Sequence, residues 1–199
     1  MRKTTIILCC LFALLLQTTT LSLANGQSRA YAAPSVPLDH GGKIESKYDG
    51  FNHETVVALK KMRVRCGSAL KQTCVSFAAS LHCPGLQLDY VRYVKLQLIF
   101  ETKDWQRRHA LDERELFVVA DGERLKLGKM ALVTLDLDTS KLIDVMKEVL
   151  EVSVSYQNFS KIVAAEHVEV KVGKTSFALE EKNIAALRDL NNRVRFRER

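Results

Sequence analysis

Histidines, cysteines and paired carboxylates decide whether a chain can do covalent or metal chemistry, and here they are scattered. His40, His53, His82, His109 and His167 stand singly, without the close spacing that metal ligands on one element need. The sequence contains no Gly-rich phosphate loop, no G-x-S-x-G, no H-E-x-x-H and no C-x-x-C. His82 beside Cys83 suits a thiolate nucleophile with an adjacent base, but a small cysteine on a strand of an exported chain is more often half of a disulfide. Asp136-x-Asp138 offers two carboxylates on one strand face to a cation, and equally reads as a strand ending in solvent. No catalytic residue, metal or cofactor is therefore expected.

The cations are more suggestive. Between Glu54 and Asp89 there is no acid, while Lys60, Lys61, Arg63, Arg65 and Lys71 all fall there. On a strand, Lys61, Arg63 and Arg65 form a positive ridge that could meet phosphate or sulfate groups; cations on a strand also block edge-to-edge aggregation. Trp105 with Arg107 and Arg108 makes a second contact patch, because an aromatic among cations stacks on a sugar or base. A lone Trp is also a common core anchor. Arg193, Arg195, Arg197 and Arg199 form a basic tail suited to anionic lipid or to plain solvation.

These residues must be positioned by one domain. The chain has 199 residues, 47% hydrophobic and 27% charged, with Gly 9 and Pro 3, which excludes a disordered or collagen-like protein. The net charge of +7 allows an anionic envelope or extracellular partner, but the two signs are interspersed and solubility accounts for it as well. Nucleic acid is disfavoured. Arg2 and Lys3 precede an uncharged run from Thr4 to Leu16, and Ser22-Leu23-Ala24 follows with small residues, the pattern of a secretory signal peptide over 1–24. Ala30-Tyr31-Ala32 is a second cleavage site, and an uncleaved anchor is the competing reading. Cleavage leaves Cys66, Cys74 and Cys83, enough for one disulfide in an oxidising compartment. Cys74 and Cys83 bracket one short segment and are the expected pair, although spacing alone leaves Cys66 open as a partner.

Residues 25–50 read as a flexible leader, and 51–199 as the folded domain. Alternation marks strands over Val56–Cys66, Thr73–Leu81, with Ser76, Ala78, Ser80 and His82 on one face, and Tyr90–Phe100. Leu116–Ala120 and Arg124–Leu127 flank Asp121-Gly122, the strongest hairpin turn in the chain, and Gly128 breaks the second strand. Met130–Leu137 and Val149–Tyr156 alternate again, whereas Leu142–Met146 has short, helix-like spacing. Val168–Val172 and Thr175–Leu179 flank the turn Gly173-Lys174, and Ile184, Leu187, Leu190 and Val194 share one helical stripe over Glu180–Val194. The expected fold is mostly β, an antiparallel sheet or sandwich with a C-terminal amphipathic α-helix; an α+β arrangement is the alternative.

The tail VEVKVGKTSFALEEKNIAALRDLNNRV, together with FETKDWQRRHALDERELFVVADGERLKLG, resembles the C-terminal region of small exported bacterial proteins. That resemblance implies export and this fold, and carries no activity. The functional expectation is an exported, non-catalytic binding or envelope-associated module. The alternatives are a secreted hydrolase or metal enzyme whose site assembles only in space, and a membrane-tethered structural subunit that keeps residues 1–24.

Overall fold

The computed structural model describes residues 40–67, 73–103, 109, 113–138 and 145–194. The signal segment 1–24, the leader to residue 39, Lys71, Trp105, Arg107, Arg108 and the arginines at 195, 197 and 199 lie outside the described residues.

The fold is mostly β. Strands β1 (Ile44–Asp49), β2 (Glu54–Cys66), β3 (Thr73–Pro84), β4 (Tyr93–Thr102), β5 (Glu115–Ala120), β6 (Glu123–Lys129), β7 (Ala131–Asp138) and β8 (Val145–Val154) precede helix α1 (Tyr156–Ala164). Then come β9 (Val168–Val172), β10 (Thr175–Ala178) and helix α2 (Glu181–Asn192). A six-stranded sheet runs β1-β2-β3-β4-β8-β7 and a four-stranded sheet β10-β9-β5-β6, all pairs antiparallel. Alternation builds both. On β2, β3 and β4, Val57, Leu59, Val75, Phe77, Leu81, Val94, Leu96 and Leu98 turn one way into the core. Val168, Val170 and Val172 do the same from β9, between exposed Glu169 and Lys171.

Both helices pack into the same core: α2 meets β2 and β3, and α1 meets α2, β4 and β5. Ser155 caps α1 through its hydroxyl on the Asn158 amide. Asn183 Oδ1 accepts the Glu180 amide at 3.1 Å, fixing the start of α2. The stripe Ile184, Leu187 and Leu190 is buried with Phe159 and Ile162 of α1, which is why the last helical period in the sequence is so clear. No helix among the described residues is long and apolar enough to cross a membrane.

Four expectations need correction. Ile44–Asp49, read as leader, is the edge strand β1, paired with β2 from Ile44↔Leu59 to Asp49↔Glu54; at an edge only one flank is paired and the segment stays too polar to read as a strand. Gly128 does not end β6. It lies within the strand at φ +106, beside a register shift at Leu116/Phe117, a bulge that glycine permits. Val145 and Met146, whose spacing looked helical, open β8.

The fourth correction is the disulfide, which joins Cys66 to Cys74, with Cα atoms 4.1 Å apart. They are direct cross-strand partners closing the β2–β3 connection. Cys74 and Cys83 lie on one continuous strand, where nine residues span about 30 Å, far beyond the roughly 7 Å limit for a disulfide. Cys83 also faces the core. Its side chain is fully buried and unpaired, and burial, with the charges of Asp89 and Glu54, pushes its thiol pKa up to about 11. That removes the thiolate a nucleophile needs, and its neighbour His82 points to the opposite face.

Candidate functional site

The outer face of the six-stranded sheet carries a polar relay. Ser80 and His82 stand two residues apart on β3, hence side by side on one face. Ser80 lies between Ala58 of β2 and Lys95 of β4, and His82 between Val56 and Tyr93. His82 Nδ1 lies 2.9 Å from Glu54 Oε1, and His82 Nε2 lies 3.1 Å from Ser80 Oγ. With the Nδ1–H donating to the carboxylate, Nε2 is left to accept the serine proton. Glu54 and His82 are buried, whereas Ser80 is half-exposed. The Tyr93 ring stacks on the imidazole at 4.4 Å and 17°. Burial, and next the charge of Glu54, hold the Tyr93 phenol above its ordinary pKa.

Beside the relay, Glu151 receives Lys95 at 2.8 Å and Gln97 at 2.6 Å. Burial works to raise the Glu151 pKa, but those two hydrogen bonds win and lower it. The same bond to Glu151 holds Lys95 protonated, raising its pKa. The outer face therefore presents a hydroxyl with an apolar flank on β2 and a cationic flank on β4.

At the adjoining end of the sheet two connections meet. Residues 50–53 link β1 to β2, and 85–92 link β3 to β4. The Gly85 amide donates to the His53 carbonyl at 2.8 Å, and the Thr55 hydroxyl donates to the Gly85 carbonyl at 2.7 Å. Asp49 braces the first turn by accepting the amides of Phe51 at 2.9 Å and Asn52 at 3.3 Å and the Asn52 side chain at 2.8 Å. The Asn52 side-chain bond, then those amides, hold the Asp49 carboxyl below its ordinary pKa. The braced tip is apolar: Phe51 is 100% exposed, Leu86 74%, Tyr90 57% and Tyr48 40%. Lys47 and Arg92 are exposed nearby.

Lys61, Arg63 and Arg65 are exposed and alternate with buried Met62 and Val64, with register shifts at Leu59/Met62 and Arg63/Arg65. Lys60 pairs with Glu45 at 2.9 Å and Lys61 with Glu101. Arg65 donates to the Ser176 carbonyl of β10 at 3.0 Å. Arg63 is exposed and forms no ion pair among the described residues. Of Asp136-x-Asp138, Asp136 accepts the Leu137 amide at 2.8 Å and the Asp138 side chain lies outside the described residues; no group of three potential metal ligands occurs among them.

Sequence reasoning placed Ser80 and His82 on one face but missed Glu54, which is 28 positions from His82 and meets it only through the β2–β3 register. It also missed the tip, because exposed apolar residues in turns carry no periodicity. No family model, no curated protein and no solved structure matches this chain.

Proposed function

We propose that the protein is an exported domain that acts by contact, docking on the lipid surface of the envelope through the Phe51–Leu86–Tyr90 tip. The observation that carries this reading is a phenylalanine left 100% exposed on a turn whose backbone amides Asp49 holds in place. A rigid turn keeps such a side chain in water at a cost, about 1.5–3 kcal/mol relative to a buried site. Tyr48 and Tyr90 suit the membrane–water interface, and Lys47 and Arg92 suit anionic head groups. Export is supported by the Arg2–Lys3 start and apolar run of residues 1–24 and by the Cys66–Cys74 disulfide, a bond at home in an oxidising compartment.

Co-sedimentation with vesicles of phosphatidylcholine and phosphatidylglycerol tests it. The wild-type protein is expected in the pellet, and the double variant Phe51→Ser with Leu86→Ser at least tenfold less so, with an unchanged circular dichroism spectrum. Wild-type protein that stays in the supernatant at low salt overturns the lipid reading.

A further inference from the structure

The outer-face relay has a chemistry that docking does not use. We propose that Ser80 is a nucleophile activated by His82 and positioned through Glu54, and that its substrate class is a carboxylic ester with a short apolar acyl group. The assignment rests on geometry. A carboxylate binds the imidazole Nδ1–H at 2.9 Å, the opposite ring nitrogen faces a hydroxyl at 3.1 Å, and those are the distances and ring atoms that a nucleophile, its base and the base's orienting group require. Glu54 and His82 are both buried, so the pair is shielded from water, while the hydroxyl is half-exposed and open to a ligand.

The surroundings select the substrate. On the β2 side Ser80 is flanked by Ala58, with Val56 two residues along on the same face, an apolar strip for the acyl chain. On the β4 side its direct neighbour is Lys95, an ammonium held in position by Glu151 at 2.8 Å. Backbone amides in mid-strand are used by the ladder, so the developing oxyanion is assigned to Lys95, whose ammonium must swing from Glu151 on β8 toward β3 to meet it. In the step, the Ser80 Oγ–H passes its proton to His82 Nε2 as Oγ bonds the carbonyl carbon. The tetrahedral oxyanion then collapses, the C–O bond to the alcohol breaks, and His82 returns the proton to the leaving alkoxide. Water attacks the acyl-serine by the same route, His82 taking its proton and handing it to Ser80 as the acid departs.

The test uses the full chain and two probes, a fluorophosphonate and p-nitrophenyl butyrate. The fluorophosphonate is expected to add one phosphonyl group per chain, with fluoride leaving, on the peptide that contains Ser80. Ser80→Ala abolishes the label. Glu54→Gln, which keeps the side-chain shape, slows labelling at least tenfold with an unchanged circular dichroism spectrum, and p-nitrophenol release falls in parallel. Ser80→Cys keeps a nucleophile in place and is expected to react with iodoacetamide while buried Cys83 does not. Wild-type protein of native circular dichroism that takes up no phosphonyl group overturns the proposal, as does label that persists in Ser80→Ala. Phe51→Ser with Leu86→Ser leaves labelling unchanged, so loss of vesicle binding and loss of labelling report separately on the two readings.

Discussion

Two histidines in this fold are built alike and set differently. His109 donates from Nδ1 to Glu148 Oε2 at 2.8 Å, as His82 does to Glu54, and each has a hydroxyl near its other nitrogen. Thr175 lies 3.4 Å from His109 Nε2, which is long for a hydrogen bond. Phe100 packs against the His109 ring at 4.4 Å, and Glu148 is 1% exposed. The His109 backbone amide also turns to Glu148, at 3.2 Å, and Arg114 holds the His109 carbonyl at 3.1 Å. Every bond of this second relay ties chain to chain: β8 to residue 109, and residue 109 to β10 and Arg114. The outer relay spends fewer bonds on cross-linking and leaves a hydroxyl facing outward. A carboxylate, an imidazole and a hydroxyl thus form a core brace in one place and, in the reading proposed above, a reactive arrangement in the other. The two histidines are equally buried. What differs is the distance to the hydroxyl, 3.4 Å against 3.1 Å, and the extra bonds that bind residue 109 to its surroundings.

Deleting the carboxylate should separate the two. Glu148→Ala strands a buried imidazole N–H and a backbone N–H together, a loss of about 3–5 kcal/mol, read as a large fall in the urea midpoint. Glu54→Ala on the outer face is expected to cost less, because among the described residues it strands the His82 Nδ1–H without a backbone N–H as well. Equal losses would mean that the outer relay is a structural brace too.

The contrast was only half legible in the sequence. Strand alternation gave Ser80 and His82 a common face, and the valines of β9 and the stripe on α2 announced the core, because burial enforces a period. Glu54 joins His82 through the β2–β3 register, and Glu148 of β8 meets His109, a residue outside the strands; neither long-range pairing is written locally. The partners of the β2 cations have the same root: alternation puts Lys61, Arg63 and Arg65 in solvent, but that Lys61 meets Glu101 and Arg65 the Ser176 carbonyl depends on distant chain. The edge strand β1 failed for a different reason, since paired on one side only it has little apolar pattern to show.

The core relay also depends on how closely the chain passes it. Gly173 has φ +54, and a Cβ there would stand 2.8 Å from the Glu113 carbonyl and 3.5 Å from His109 Cδ2. Gly173→Ala therefore meets both a left-handed backbone and a collision with main chain, and should cost about 1–3 kcal/mol. Thermal melting checks this, and the variant should leave fluorophosphonate labelling of the folded fraction unaltered. A change in labelling would show that the two relays communicate through the sheet.

The smallest effect expected is on the acid side, and it belongs to neither relay. The amides of His167 and then Glu166 hold the Asp121 carboxyl below its ordinary pKa. For Asp189 burial pushes upward, yet bonds from Arg193 and His40 prevail and lower it; Glu151 follows the same balance with Lys95 and Gln97. A carboxyl whose folded pKa is depressed stabilises the fold above its unfolded value, near pH 4, and that stability is lost as pH falls through the lower, folded value. The urea midpoint should therefore hold steady from pH 7 down to about 5 and decline below about 4. Asp121→Asn keeps an oxygen acceptor for both amides and a side chain that tolerates the φ of +46, so it should fold as well at pH 7 and lose less on acidification. If instead the decline begins well above pH 5, carboxyls with depressed pKa values are not its source, and the buried histidine pairs become the groups to mutate next.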